Sequence, residues 1–284
     1  LHIFFDDVDS VKLILEFVGE IKIRGYDLMD KPKYSCYIDL YNSSRIYSEY
    51  IKAFFFHDNN MSTTIVIPTK NEVIGVRKIL PQLKKEWADE WLVMDGNSTD
   101  GTIEAAEKLN FKVIQQKGSG AANAEREGLE HSHSENVLFF SPDGNCIPEY
   151  IPKLIKKIEG GNYDIVQISR FGKFGSSDDD TFITAFGNRM FTFLVNIFFG
   201  GHLSDALYGF FIIKKKVFQD LNLDAEFQTL EQQISIKSSK LGLKIAEIDG
   251  HEPSRIGGER KMIPHIVGSQ LSYQIIKEFI FWNR

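Results

Sequence analysis

The chain has 284 residues, of which 43% are hydrophobic, and a formal net charge of −6 at pH 7. This composition is typical of a globular protein with a packed core, and the acidic balance excludes a general affinity for nucleic acid. Cys36 and Cys146 are too few and too far apart for a disulfide framework or a zinc site. We therefore predict a protein of the reducing cytoplasm with no nucleic-acid partner.

Residues 1–60 differ in pattern from the rest of the chain. Segments such as KLILEFVGEIKI mix helical and strand patterns and contain no motif that indicates a chemical role. The stretch FFFHDNN interrupts this region, and a new pattern begins at Met61. We predict an N-terminal extension of unknown role over residues 1–60.

From Met61 onward, apolar strand patterns alternate with helical ones. The predicted strands are TTIVIP, WLVMD, FKVIQQ and NVLFFS. The predicted helices between them cover residues 71–85, IEAAEKL and AANAEREGLEHS. This alternation predicts an α/β fold with a mostly parallel central sheet, in which functional loops lie at the carboxyl ends of the strands.

Polar motifs follow the predicted strands at these positions. PTKNE follows the first strand, DGNSTDGT the second and SPDGN the fourth. Asp95, at a strand end, suits a hydrogen bond to a base or ribose, although Asp100 and Thr102 fit a simple helix cap equally well. Asp143 suits a divalent cation beside substrate phosphates, with a helix cap as the alternative.

Two segments near the end of the chain are rich in Phe, Leu and Ile. Residues 182–201 are interrupted by Asn188, Arg189 and Asn196, and residues 266–282 form the second segment. Neither contains the roughly 18 uninterrupted apolar residues typical of a membrane span. Two interpretations stay open: helices that lie in a membrane interface, or helices that face the core.

The motifs in their order resemble family 2 glycosyltransferases of the GT-A fold, and among these the polyprenyl-phosphate hexosyltransferases and bacterial surface-polysaccharide relatives. The resemblance covers residues 61–261 and rests on PTKNE, VMDGNSTDGT, KGSGAANAEREG, FFSPDGNCIPE, DIVQISR, DALYGF and EPSRIGGERK. It implies a GT-A domain over residues 61–265, followed by an amphipathic helix over residues 266–284.

The resemblance also implies which residues bind the nucleotide-sugar donor. These are Pro68, Thr69 and Glu72 after the first strand, Asp95 after the second, the loop glycines Gly118 and Gly120, Ser141, and the C-terminal cations Arg255 and Lys261.

For a divalent metal, Mg²⁺ or Mn²⁺, the resemblance implies Asp143 and Asn145 as ligands. Ser141 departs from the family pattern because it occupies the position of the first aspartate of the metal motif. An uncharged hydroxyl is a poorer ligand for a hard cation, so we predict a lower metal affinity or a greater contribution from substrate phosphates.

On the acceptor side, the resemblance implies that Arg170 and Arg189 bind an acceptor phosphate. It places Asp143, Asp205 and Glu231 among the catalytic residues. Glu231 is followed by Gln232 and Gln233, so the acidic pair of hydroxyl-acceptor relatives is absent. A phosphate acceptor is already an anion and needs no general base, which favours a lipid phosphate.

The predicted function is an inverting transfer of a hexose from a UDP- or GDP-sugar to polyprenyl phosphate. Peripheral contact at the inner face of the cytoplasmic membrane would follow from that acceptor. Two alternatives stay open: transfer to a sugar hydroxyl in O-antigen or capsule synthesis, and a weakened nucleotide-binding scaffold, which Ser141 suggests.

Overall fold

The computed structural model describes residues 2–5, 23–27, 34–38, 61–226, 229–257 and 263–281. The chain divides into two compact units, residues 1–60 and residues 61–284. In the first unit, β1 (His2–Phe5), β2 (Ile23–Asp27) and β3 (Tyr34–Ile38) form an antiparallel sheet in the order β1-β3-β2. The role of this unit stays open.

The second unit is built on a seven-stranded sheet. The strands of this sheet are β4 (Thr63–Thr69), β5 (Glu90–Asp95), β6 (Lys112–Gln115), β7 (Asn136–Phe139), β8 (Ile165–Ser169), β10 (Phe211–Lys214) and β11 (Ile245–Asp249). They lie in the order β11-β8-β10-β7-β4-β5-β6. All neighbouring pairs are parallel except those of β10, which runs antiparallel to both β7 and β8. A separate parallel pair joins β9 (Ser176–Ser177) to β12 (His251–Glu252). The predicted, mostly parallel α/β sheet is confirmed.

Helices cover both faces of the sheet, because side chains alternate between the faces along each strand. In β4, Ile65 and Ile67 contribute to the core on one face, and Val66 contributes to the core on the other. The first face packs on α1 (Val73–Ile79), α2 (Thr102–Lys108) and α4 (Ile151–Gly160). The second packs on α3 (Ala121–His131), α6 (Lys215–Asp220) and α7 (Leu230–Lys240).

The helix predicted over residues 71–85 is shorter than expected. The α-helix ends at Ile79, and two 3₁₀ turns follow, Leu80–Gln82 and Lys85–Trp87. Pro81 lies in the first of these turns, and a proline has no backbone N–H to continue the α-helical hydrogen bonds. A third 3₁₀ turn, Pro148–Tyr150, leads into α4.

The two apolar segments form α5 (Phe182–Phe199) and α8 (Pro264–Ile280). Both pack beside α7 through a third core cluster that includes Phe191, Val195, Ile236, Leu271 and Ile275. Among the described residues, α5 is the one helix that is long and apolar enough to cross a membrane by length and composition. Of its 18 residues, 28% are buried. Each helix packs one side on this core, in agreement with the core-facing interpretation, and leaves its other side exposed.

Candidate active site

The loops after β4 and β5 lie side by side at the carboxyl edge of the sheet. The strand register pairs Thr69 with Asp95, and the Thr69 hydroxyl donates to the Asp95 carboxylate over 2.9 Å. Ser98 donates to the same carboxylate from its backbone N–H at 2.7 Å and from its hydroxyl at 2.6 Å. The fully buried Asp95 thus fixes the start of the second loop. Its contact with a nucleotide base stays a prediction.

Further contacts link the first loop, which begins at Pro68, to the second. Asn71 adopts a left-handed backbone conformation with φ of 52°, which asparagine tolerates better than most residues. Its side-chain oxygen accepts the Thr99 N–H at 2.9 Å, and Lys70 Nζ donates to the carbonyl of Asn97 at 2.7 Å. Neither Lys70 nor Asn71 was predicted as a site residue, because contacts between loops leave no periodic pattern in the sequence.

Arg255 joins two of the predicted donor-site carboxylates. Its Nη1 donates to Glu72 Oε1 at 3.0 Å, and its Nη2 donates to Asp143 Oδ2 at 2.7 Å. The side chains of Glu72 and Asp143 are only 8% and 9% exposed, whereas that of Arg255 is 25% exposed. We call Glu72, Arg255 and Asp143 the donor-edge cluster. It brings together residues from three distant parts of the chain at the edge where the sequence placed the donor site.

The residues around Asp143 fit a divalent cation only in part. Asp143 Oδ1 accepts the backbone N–H of Asn145 at 3.0 Å, while Oδ2 faces Arg255. The side-chain nitrogen of Asn145 donates to the Pro253 carbonyl at 2.8 Å, so this residue also secures the segment before Arg255. Within the described residues, no group of three or more His, Cys, Asp or Glu side chains is arranged to hold a metal. A cation at Asp143 would therefore need oxygen ligands from the substrate.

The glycine loop before α3 is held by Glu127. Its carboxylate accepts the backbone N–H groups of Lys117 and Gly118 at 2.9 to 3.0 Å. Burial acts to raise the pKa of Glu127, but these hydrogen bonds outweigh it and lower the pKa. Gly120 has φ of 87° and leaves open space where a side chain would stand. The backbone at Gly120 is therefore open to a ligand, whereas the Asn123 side chain fills the space beside Gly118. Donor contact by Gly118 and Gly120 stays a prediction.

Arg170 lies in a buried ion cluster at the end of β8. Its Nε and Nη2 donate to Asp205 at 2.7 and 3.1 Å, and its Nη1 donates to Glu252 at 3.3 Å and lies 3.8 Å from Asp180. We call these four residues the buried cluster. Burial alone would lower the pKa of Arg170, but the carboxylates, led by Asp205, raise it. Burial raises the pKa of Glu252 despite the nearby Arg170.

This arrangement does not favour two predicted roles, which stay predictions. The Arg170 side chain is 8% exposed and directs its guanidinium to three carboxylates, so it is not presented to an acceptor phosphate. The Asp205 carboxylate is fully buried and is bound by Arg170, so it is not placed to take a proton from an acceptor. The geometry assigns both to positioning the loops after β8. Sequence reasoning missed Asp180 and Glu252 as their partners.

Arg189 lies in a different environment from Arg170. It is exposed on α5, and its guanidinium carbon lies 4.7 Å from the centre of the Phe171 ring. Phe171 follows Arg170 directly in the loop after β8. Stacking of this kind holds a guanidinium while leaving its edge open to an anion. Arg189 is therefore the predicted acceptor-side arginine that remains accessible.

Glu231 belongs to a carboxyl pair with Glu125 of α3. Burial, followed by the charge of Glu231, raises the pKa of Glu125 well above its ordinary value, and Arg126 opposes this shift. Burial also raises the pKa of Glu231, against its own backbone N–H and Arg170. Glu125 Oε2 is buried and makes no hydrogen bond within the described part of the chain. Sequence reasoning missed Glu125, which reads as an ordinary polar residue of a surface helix.

Two further residues were predicted to bind the donor, Ser141 and Lys261. Ser141 is half-buried at the end of β7, two residues before Asp143. Lys261 lies outside the described residues. The prediction for Lys261 therefore stands on the sequence alone.

Comparison with known proteins identifies relatives of this chain. Residues 64–221 match the sequence profile of Glycosyl transferase family 2. Glycosyltransferase AglJ of Haloferax volcanii is 30% identical over 181 residues, which cover 63% of this chain and 59% of AglJ. A dolichyl-phosphate hexose transferase of the same organism is 26% identical over 215 residues, covering 75% of this chain and 92% of the relative.

The fold is also that of solved structures. Glucosyl-3-phosphoglycerate synthase from Mycobacterium tuberculosis, in complex with Mn²⁺ and uridine-diphosphate-glucose, superposes with a TM-score of 0.62 at 18% identity. The match covers 87% of this chain and 86% of that structure. The predicted GT-A fold is confirmed.

Proposed function

The chain belongs to glycosyl transferase family 2, and on that premise we propose that it transfers a hexose from a UDP- or GDP-sugar to polyprenyl phosphate, with inversion at the anomeric carbon. An oxygen of the acceptor phosphate forms the new bond to the anomeric carbon. The bond between this carbon and the nucleoside diphosphate breaks, and the nucleoside diphosphate leaves with the electron pair.

The donor-edge cluster is the observation that carries this proposal. Arg255 is held between Glu72 and Asp143 near the surface, at the carboxyl ends of the strands. Its Nε is buried and makes no hydrogen bond among the described residues, so a phosphate oxygen that reached this N–H would supply its missing acceptor. Guanidinium groups match phosphate oxygens in geometry, and their charge stabilises a diphosphate as it leaves.

Asp143 would hold the divalent cation, with Asn145 positioning its carboxylate through the backbone N–H. When bound, a cation of this kind neutralises the charge that develops on the diphosphate. Mg²⁺ and Mn²⁺ both suit oxygen ligands, and the solved synthase with Mn²⁺ and UDP-glucose supports the choice of Mn²⁺ and UDP as first tests.

The accessible Arg189 supports an anionic acceptor. Arg170 is bound by carboxylates, so Arg189 is the predicted acceptor-side arginine able to meet a phosphate. The likeness to a dolichyl-phosphate hexose transferase over 75% of this chain supports a lipid phosphate as that acceptor. A phosphate attacks as an anion, so no side chain needs to remove a proton.

A second candidate function is transfer to a sugar hydroxyl. The observation in its favour is Glu231, because burial raises its pKa and so makes the carboxylate a stronger base toward a hydroxyl proton. In that reaction Glu231 would take the proton of the attacking hydroxyl. The two functions differ in whether Glu231 is required.

A transfer assay with the full chain tests the proposal. UDP- and GDP-linked hexoses are each combined with a polyprenyl phosphate or an oligosaccharide, with Mn²⁺, Mg²⁺ or chelator. We expect transfer to polyprenyl phosphate that is lost with chelator and falls about 100-fold or more in Asp143→Asn, as for other groups that stabilise developing charge. Asp220→Asn, which changes an exposed carboxylate in a surface ion pair, is the matched control.

The outcomes separate the candidates. Transfer to polyprenyl phosphate that survives in Glu231→Gln supports the phosphate acceptor. Transfer to the oligosaccharide alone, with loss of activity in Glu231→Gln, establishes the second candidate. If no transfer occurs with any donor, metal or acceptor while a nucleoside diphosphate still binds, neither transferase proposal holds and a nucleotide-binding scaffold role replaces them.

A further inference from the structure

We infer that the exposed sides of α5 and α8 form a membrane-docking surface that lies flat on an anionic lipid bilayer; this inference rests on the proposed function, whose acceptor is a membrane lipid. We call this surface the α5–α8 face. It consists of Phe182, Ile183, Phe186, Met190, Phe193 and Ile197 of α5, and of Ile266, Tyr273, Ile276, Phe279 and Ile280 of α8.

The apolar side chains of α5 lie on one side of the helix. Four apolar residues recur at helical spacing and are each more than 60% exposed: Phe182, Phe186, Phe193 and Ile197. The members of each pair are four residues apart, and seven residues separate Phe186 from Phe193, which places all four on one side of a helix. The opposite side holds buried residues that include Phe191, Val195 and Phe199. Such a division of exposed and buried apolar residues is typical of a helix that contacts two different apolar environments.

The second helix continues this surface. Tyr273, Ile276 and Ile280 are 55 to 66% exposed, while Leu271 and Ile275 are buried against the protein. The two helices meet at Phe279, whose ring centre lies 5.6 Å from that of Phe198. Exposed apolar patches of this extent on a folded protein mark interaction surfaces.

The packing favours a helix that lies in the interface over one that spans the bilayer. The buried side of α5 packs on the core cluster shared with α7 and α8. Asn196 exchanges two hydrogen bonds with Leu203, and Asn188 donates to Asp180, so the polar residues of α5 are bound to the protein. A helix fixed in this way can bury one side in the lipid while the other stays on the protein.

The charges on the two helices suit an anionic surface. α5 contains no Asp or Glu, and its one charged residue is the exposed Arg189. In α8 the sole carboxylate, Glu278, is buried, and Lys277 pairs with Asp224. Lys173 lies beside Phe174, which is 78% exposed in the loop after β8. Cations beside exposed aromatic rings are attracted to anionic headgroups.

Two of the three acidic residues before α5 are held against the protein. Asp179 accepts the backbone N–H of Arg255, and the side chain of Asp180 is 5% exposed. The side chain of the third, Asp178, is 64% exposed and lies 3.3 Å from His251. These contacts direct them to the loops of the candidate active site. A second copy paired through the same face would bring a second Arg189 to the interface, whereas an anionic bilayer offers opposite charge to this residue. We therefore commit to the bilayer as the occupant.

The face also adjoins the acceptor side. Arg189 lies on α5 at its margin and stacks on Phe171 of the loop after β8. In a polyprenyl phosphate the chain is buried in the bilayer and the phosphate lies at its surface. Docking through the α5–α8 face would bring Arg189 to the depth of that phosphate, which gives the face a purpose in the reaction.

Vesicle flotation of the full chain tests the inference. The probes are vesicles of phosphatidylcholine alone and vesicles that also contain phosphatidylglycerol. We expect the protein to bind the anionic vesicles, and the double variant Phe186→Glu/Phe193→Glu to lower the bound fraction at least about tenfold. Leu241→Glu, an exposed leucine at the end of α7 outside the face, is the matched control and retains binding.

Two further measurements keep the outcomes distinct. Thermal unfolding shows that the double variant is folded, and transfer to a short, water-soluble polyprenyl phosphate is retained because the face does not contact the reacting atoms. The inference is overturned if the wild type floats with neither vesicle, if the double variant binds as the wild type does, or if light scattering shows that the face pairs two copies instead. Vesicle binding without transfer to any acceptor removes the proposed function and leaves the docking surface; transfer without vesicle binding does the reverse.

Discussion

Two arginines at the carboxyl edge of the sheet lie among carboxylates, yet their surroundings differ. Arg170 faces Asp205, Glu252 and Asp180 with its side chain 8% exposed. Arg255 faces Glu72 and Asp143 with its side chain 25% exposed. In the buried cluster Arg170 is shielded from solvent, whereas in the donor-edge cluster Arg255 is partly exposed and can be reached by a ligand.

The difference shows that an arginine beside carboxylates does not by itself indicate a phosphate site. A buried guanidinium that leaves its carboxylates creates uncompensated charges in a poorly solvated place, so its exchange for a ligand is costly. A guanidinium near the surface can exchange a carboxylate for a phosphate while water and a metal compensate the carboxylate. The proposed binding of a phosphate at the donor edge therefore depends on the partial exposure of Arg255.

Removing the cation of the buried cluster should have the largest effect. We expect Arg170→Met to lower the free energy of unfolding by about 3–5 kcal/mol, because it leaves Asp205 and Glu252 buried without their cation. Urea denaturation measures this change. Lys216→Met removes an exposed partner of Asp220 on α6, and this control should change stability by less than about 0.5 kcal/mol. A similar small loss for both variants would contradict a structural role for Arg170.

Removing the cation of the donor-edge cluster should have a smaller effect on folding and a clear effect on ligands. We expect Arg255→Ala to lower the free energy of unfolding by about 1–3 kcal/mol, the usual cost of unpaired buried polar groups. Mn²⁺ or Mg²⁺ should restore part of that loss, since a divalent cation can replace the guanidinium beside Asp143. Thermal unfolding with and without the metal measures both effects.

Donor affinity provides the second measurement on Arg255. Nucleoside diphosphate binding should weaken about tenfold or more in Arg255→Ala, because a charge-assisted pair with phosphate is lost. Arg255→Lys is the matched variant; it retains the charge without the fork, so it should recover only part of the affinity. Unchanged donor affinity in Arg255→Ala would place the diphosphate elsewhere.

The sequence predicted the framework of this site better than its contacts. Strand periodicity located β4, β5, β6 and β7, and parallel strands bring their following loops to one edge, so the proximity of Glu72 and Asp143 follows from the pattern. The partners of Arg170 did not follow, because Asp205 and Glu252 are 35 and 82 positions away in the chain. Which side chains pair across such distances depends on loop packing, which no local pattern reports.

Exposure was equally difficult to predict. The apolar segments that became α5 and α8 are compatible with a core position or an interface, because composition does not specify which neighbours a helix has. Glu125 shows the opposite case, since a glutamate in AANAEREG indicates a surface helix but is 5% exposed in the fold. In both cases the packing against α7 and its neighbours decides, and it depends on the whole fold.

The smallest effect is expected for the pair formed by Glu125 and Glu231. Unlike the carboxylates beside Arg170 and Arg255, Glu125 has no arginine hydrogen-bonded to it among the described residues. Burial and Glu231 raise the pKa of Glu125 in the folded state, so between the unfolded and folded pKa values the folded chain binds more protons. Stability from this group is thus present at low pH and is lost as the pH rises through the folded pKa. Glu125→Gln removes this dependence, since a glutamine stays neutral.

We therefore expect Glu125→Gln to be more stable than the wild type near pH 8 by roughly 1 kcal/mol, with the advantage shrinking toward pH 5. Urea denaturation across this pH range measures the difference. Glu130→Gln, an exposed change on the same helix, should show no difference that varies with pH. Two outcomes would show that Glu125 is ionised in the folded protein. In the first, Glu125→Gln becomes more stable relative to the wild type as the pH falls; in the second, its difference from the wild type does not vary with pH, as for Glu130→Gln. In that case a cation outside the described contacts must compensate the Glu125 carboxylate, as Arg255 compensates Glu72 and Asp143 at the donor edge.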